Sequence, residues 1–108
     1  MTIIEITYTT DIESIDWAWL KQRLTEDSFD NGRTPKQYET SFRNSFGVVF
    51  AWANEEIIGK ARVLSDGICN AYIVDVWTYS PFRSQGIASE MLKILEATLQ
   101  GQHVYLFT

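Results

Sequence analysis

From residue 71 to residue 108 the chain passes from a β-rich segment through a short polar loop into an amphipathic helix, and out to a second β-rich segment. Across residues 71–79, Val74, Val76 and Thr78 fall on one face of a strand and Asp75, Trp77 and Tyr79 on the other. Ile87, Met91, Ile94, Leu95 and Thr98 recur at helical spacing within residues 86–100, and Gly101 stands where a helix stop belongs. Residues 103–108 read as a last short strand. A strand, a helix and a strand in this succession imply a right-handed parallel crossover, so the helix must lie on a sheet containing both strands.

The remaining elements have to complete that sheet. Residues 3–9 alternate Ile4, Ile6 and Tyr8 against Glu5 and Thr7, the period of a strand with one buried face. Ser14 or Asp16 caps a helix carrying Trp17, Leu20 and Leu24, and residues 25–33 form a polar loop. Thr34 caps a second helix, with Pro35 at its first position, Gln37 closing a capping box, and Tyr38, Phe42 and Phe46 on one face. Two β-rich runs, 47–53 and 57–64, flank Asn54-Glu55-Glu56 as an antiparallel hairpin, ended by Ser65-Asp66-Gly67. The expected fold is therefore α/β (α+β): a mixed, mainly antiparallel central sheet in the order β-α-α-β-β-β-α-β, in one domain over residues 1–108. An apolar fraction of 45%, with four Trp, five Tyr and six Phe, is enough to give such a domain a core.

Charge narrows the partners. Nine basic residues face fourteen acidic ones, and the first 32 residues alone hold seven acids against Lys21 and Arg23. Without a basic stripe there is no route to counterion release, which argues against nucleic acid. No apolar run approaches a membrane span and the start lacks a basic signal region, so a cytoplasmic protein with no membrane partner is expected. The lone Cys69 and His103 suggest neither a disulfide, a nucleophile nor a metal site.

The chemistry concentrates at Arg83-Ser84-Gln85-Gly86-Ile87-Ala88, where the polar loop becomes the helix. Backbone N–H groups in the first turn of a helix lack internal partners and face the positive end of the macrodipole, so the junction suits an anion. Gly86 permits close backbone approach, Ala88 keeps the next turn small, and Arg83 adds a cation. Neither a Walker lysine nor a GxGxxG is present.

This segment resembles the acetyl-CoA loop R/Q-x-x-G-x-G/A of the GCN5-related N-acetyltransferases (GNAT), and Val74-Asp75-Val76-Trp77-Thr78 is similar to that family's fourth strand. The resemblance extends over essentially the whole chain. It implies that the N–H groups of Ser84, Gln85, Gly86, Ile87 and Ala88 bind the CoA pyrophosphate, and that the backbone of Val76, Trp77 and Thr78 pairs with the pantetheine arm. It implies a GNAT-like fold lacking the family's later helix and strands, and with them the tyrosine commonly used as the acid. The implied activity is direct transfer of acetyl from acetyl-CoA to a primary amine of a small molecule or peptide, with a non-catalytic CoA-binding module as the alternative.

For the base the candidate is Asp75, which is equally readable as a fixed hydrogen-bonding partner; for the acid, Tyr79. On the acceptor side, Trp19 lies off the main stripe of its helix, and Asp27 and Asp30, with Glu26, belong either to an amine-attracting rim or to a solvated loop. Residues 104–107 would be an apolar strand at a sheet edge, which predicts completion by more chain or by a second copy in a homodimer.

Overall fold

The computed structural model describes residues 4–107, so Ile3 and Thr108, expected at the outer ends of the first and last strands, lie outside the described residues. The order is β1 (Ile6–Thr9), α1 (Trp17–Glu26), α2 (Pro35–Arg43), β2 (Gly47–Ala53), β3 (Glu56–Ser65), β4 (Asn70–Thr78), a 3-10 turn (Ser80–Phe82), α3 (Ile87–Glu96) and β5 (His103–Leu106). The strands form one sheet ordered β1-β2-β3-β4-β5, antiparallel throughout except for the β4–β5 pair created by the α3 crossover.

Local chemistry sets the helix starts. Asp16 accepts the Trp19 N–H and caps α1. Thr34 and Gln37 exchange reciprocal bonds with each other's backbone N–H ahead of α2, the capping box read from the sequence. Two expected features differ. Phe46 is not on the face of α2, which ends at Arg43, and it is exposed; α3 stops at Glu96 rather than near Gln100, its last residues turning through 3-10-type bonds from Thr98 and Leu99.

The sheet has a different layer on each face. Under α3, Val49, Ala51, Ile58, Ala61, Val63, Ala71 and Ile73 pack on Ile87, Met91, Leu95 and Leu99 in a wholly apolar cluster. Under α1 and α2, Leu20, Leu24, Tyr38 and Phe42 meet Val48, Phe50, Ile57 and Trp77. Ile73 and Trp77 thus face opposite layers although four residues apart, which strict alternation forbids. The cause is a β-bulge: Arg62 pairs with Val74 and Lys60 with Trp77, so Asp75 and Val76 together stand opposite Ala61. The bulge therefore corrects the expected facing of Val74 with Val76 and of Asp75 with Trp77.

β5 pairs only with Asn70 to Ile73 of β4, leaving the rest of β4 without a neighbour on that side among the described residues. The outer edge of β5 is likewise unpaired, and Val104, Tyr105, Leu106 and Phe107 are exposed. Among the described residues no helix is long and apolar enough to cross a membrane.

Candidate cofactor cleft

Where β4 loses β5 as a neighbour, a cavity of about 480 Å³ opens between Val76, Trp77 and Thr78 on one side and Phe82, Arg83, Ser84, Gly86, Ile87 and Ala88 on the other. Phe29, from the α1–α2 connection, forms another part of its wall. A larger depression of about 610 Å³ lies over the β1–β2 edge, but Glu5, Thr7 and Glu55 in its lining do not suit an anion.

The wall from residue 84 to residue 88 is a row of donors. Among the described residues no protein acceptor takes the N–H groups of Ser84, Gln85, Gly86, Ile87 or Ala88, and the first return bond to this turn runs from Glu90 N–H to the Gly86 carbonyl. Gly86 sits at φ +80°, a conformation glycine adopts without cost, and a Cβ placed there would meet nothing within 4 Å. Glycine is required here by the backbone, and the space beside it is open to a ligand. Ser84 is also left-handed, at φ +65°.

On the strand side the Thr78 hydroxyl oxygen is buried and has no hydrogen-bond partner among the described residues. A buried unpaired hydroxyl at a strand edge that is itself unpaired suits a polar, extended arm lying along β4. The residues present therefore fit a pyrophosphate at the helix start joined to an amide-bearing chain along the strand.

Asp27 fixes this cleft. Its carboxylate accepts the Trp77 indole N–H at 2.9 Å, the Ser80 N–H at 3.2 Å, the Ser80 hydroxyl, and an Arg83 guanidinium N–H at 3.2 Å. Burial alone would raise its pKa, but the Ser80 and Trp77 hydrogen bonds and the Arg83 charge hold it below the usual carboxylate range. With its side chain only 7% exposed, Asp27 ties the end of α1 to the loop after β4 and is not free on an amine-attracting rim. Arg83 is turned toward this tie, donating Nε–H to the Thr78 carbonyl at 3.0 Å while remaining half-exposed.

The other sequence candidates are distributed around the cleft. Asp75 is left-handed at φ +58° and accepts Arg62 Nε–H at 2.5 Å. Its carboxylate borders a separate cavity of about 200 Å³ lined by Asn31, Arg33, Gln37, Tyr38, Ser41 and Arg62, on the α2 side of the bulge. Asp30 pairs with Lys21 and accepts the Gly32 N–H at 3.1 Å; the Lys21 hydrogen bond holds its pKa below the usual range. Tyr79 packs on Trp77 and Phe82 under the Arg23 guanidinium, 4.1 Å from its ring centroid. Trp19 also packs on that guanidinium, at 4.6 Å, and borders a cavity with Ser14, Trp52 and Glu56, so it is not part of the cofactor cleft. Two neighbours of Asp75 escaped sequence reasoning. Lys60 lies within the β-rich run 57–64 with no local signal that sets it apart, and Tyr38 reads only as part of the apolar face of α2.

The Acetyltransferase (GNAT) family profile matches residues 9–108. The chain belongs to this family. Solved structures agree in fold. A protein of Xanthomonas campestris assigned to the GNAT family superposes with a TM-score of 0.80 at 21% identity, covering 96% of this chain and 75% of its own. An acetyltransferase of Deinococcus radiodurans superposes at 0.75 with 25% identity, covering 95% and 72%. An aminoglycoside N-acetyltransferase solved with CoA superposes at 0.69 with 12% identity, covering 99% and 79%. Among curated proteins no sequence matches. Membership of the GNAT family supports acetyl transfer as the general class of activity.

Proposed function

We propose that this protein transfers acetyl from acetyl-CoA to a primary amine of a small molecule or peptide, by direct attack within a ternary complex. One observation carries the reading: the unpaired N–H row of residues 84–88 faces, across a cleft of fitting size, the part of β4 that has no strand beside it among the described residues. The row would hold the pyrophosphate, with Arg83 as a flanking charge, and Val76, Trp77 and Thr78 would pair with the pantetheine amides. An aminoglycoside acetyltransferase among the structural neighbours was solved with sisomicin, which supports an amine acceptor.

The reaction needs a neutral amine, an aligned thioester carbonyl and stabilisation of the oxyanion. The amine nitrogen forms the new C–N bond, the C–S bond breaks, and the ammonium proton leaves to a base while the CoA thiolate takes a proton. Asp75, on the bulge beside the cleft, is the proposed base, reached from its own cavity between α2 and β4. Tyr79, at the strand end, is the proposed acid. The N–H of Val76 is the proposed donor to the carbonyl oxygen, since the bulge keeps Asp75 and Val76 out of a regular ladder with β3. For association we propose a homodimer pairing along residues 104–107.

Calorimetric titration with acetyl-CoA, followed by mass analysis of a panel of amines incubated with protein and acetyl-CoA, tests the function. Binding in the micromolar range and a product heavier by one acetyl group are expected. Binding without any acetylated product favours the CoA-binding module, and absence of binding at millimolar ligand overturns the reading.

A further inference from the structure

Lys60 is the one charged residue buried as a whole among the described residues, only 1% exposed. It projects from β3 between Phe50 of β2 and Trp77 of β4, in the layer under α1 and α2. Its Nζ lies 5.1 Å from the ring centroid of Phe29 and 5.6 Å from that of Phe42, and it has no carboxylate within ion-pairing distance among the described residues. Its hydrogen bond goes to the main-chain carbonyl of Asp75, at 3.1 Å. Burying an ammonium against two phenyl rings and one carbonyl is costly, and an apolar side chain of similar length would fill the site at no such cost. Stability does not account for Lys60.

Its acceptor does. In a trans peptide the carbonyl and the following N–H point in opposite directions, and the described chain has no cis bonds. By taking the Asp75 carbonyl on the α1–α2 side, Lys60 turns the Val76 N–H toward the other side, where Val76 lines the cofactor cleft. Arg62 grips the carboxylate of the same residue, so two cations of β3 hold a left-handed Asp75 by main chain and side chain together.

We propose that Lys60 is a positioning residue for acetyl transfer: its buried ammonium holds the Asp75–Val76 peptide by its carbonyl, fixing and polarising the Val76 N–H as the donor to the thioester carbonyl oxygen. The proposal rests on the acetyltransferase reading above and assigns a residue outside the cleft lining to it. A charge on the carbonyl side of a peptide strengthens its N–H as a donor, through the polarisation that links hydrogen bonds in series.

Burial brings Lys60 down to about 8, against the favourable charge of Asp75 and with the opposing charge of Arg62. The groups facing it are Asp75 from β4, Arg62 from β3, Phe29 from the α1–α2 connection and Phe42 from α2. Nearby Tyr38 is pushed above its ordinary range by burial, and beyond it Lys21 is paired with Asp30. The polarising charge is therefore present below about 8 and lost as pH rises through it.

The test has two arms. In the ligand-free, nitrogen-15-labelled full chain, the Val76 amide resonance should titrate with a midpoint near 8 while amides of α3 stay still. A Val76 resonance that does not move overturns the clamp, whatever the protein's activity. In the second arm Lys60→Met should keep the fold and the KM for acetyl-CoA within about twofold, while kcat falls by about 10- to 100-fold. An unchanged kcat overturns the proposal, and if Lys60→Met does not fold, the wild-type titration alone decides. A chain that titrates at Val76 but neither binds nor transfers acetyl overturns the acetyltransferase reading and leaves the clamp standing.

Discussion

The hairpin between β2 and β3 and the bulge in β4 both hold non-glycine residues in the left-handed region, and they do so by different means. Asn54 (φ +52°) and Glu55 (φ +67°) link Ala53 to its partner Glu56, and a two-residue link of this hand needs positive φ at both positions. Glu55 is exposed and among the described residues makes no ion pair or side-chain hydrogen bond, so closure of the hairpin alone holds it there. Asp75 (φ +58°) lies inside a strand and is held by Lys60 on its carbonyl and Arg62 on its carboxylate. Strain in the turn is a by-product of connectivity. At the bulge it is maintained by two side chains that converge on Asp75, whose following residue, Val76, lines the cleft.

The largest effect is expected at Gly86, where the cleft does use a glycine. Gly86→Val would combine an unfavourable φ with methyl groups in the space beside the N–H row. Acetyl-CoA affinity should fall by at least about 100-fold while circular dichroism stays native, because the backbone strain falls on one exposed loop residue whose added Cβ meets no protein atom within 4 Å. Unchanged affinity would move the cofactor away from this loop.

Asp27→Asn comes next. Losing a charge that accepts from Trp77, Ser80 and Arg83 should destabilise the protein by about 1–3 kcal/mol in urea unfolding at neutral pH. Since folding depresses the Asp27 pKa below its ordinary 3.8, its contribution is present above that value and is lost as pH falls through the folded value. The gap between wild type and variant should therefore narrow in acid; a gap that widens there would contradict the assigned tie.

Much of this fold was legible in the sequence because the relevant signals are local. The Thr34–Gln37 capping box, the Asp16 cap and the crossover helix each depend on residues within a few positions. The bulge was not legible. Every residue from Val74 to Thr78 except Asp75 is a good strand former, and nothing local says that two of them oppose Ala61 alone. The start of α3 at Gly86 and Ile87 is a local feature of the sequence, whereas the role of Asp27 is not, because its partners lie 50 to 56 residues further on. Lys60 escaped for the same reason: a lysine in an apolar run shows its burial only once Phe29, Phe42 and Asp75 are brought around it.

The two strained sites should respond to glycine with opposite signs. Asp75→Gly relieves about 1 kcal/mol of backbone strain but removes the acceptor of a half-buried Arg62, a charge-assisted bond of about 1.5–3 kcal/mol. The expected net is a loss of about 0.5–2 kcal/mol, read as a lower urea midpoint. A stabilised variant would mean that Arg62 does not hold the bulge.

Glu55→Gly is the smallest and the cleanest. Glycine reaches φ +67° without a Cβ clash, and Asn-Gly is the preferred pair for this turn. Against that gain stands the greater freedom glycine gives the unfolded chain, which offsets part of it. The remainder should be about 0.5–1 kcal/mol of added stability, and acetyl-CoA affinity should not change, since the turn is formed by exposed residues at the far side of β3 from the cleft. A gain in stability here with a loss at Asp75 sustains the distinction between incidental and maintained strain. If Glu55→Gly instead destabilised the protein, Glu55 would be making a contact that holds the turn, and the contrast with Asp75 would disappear.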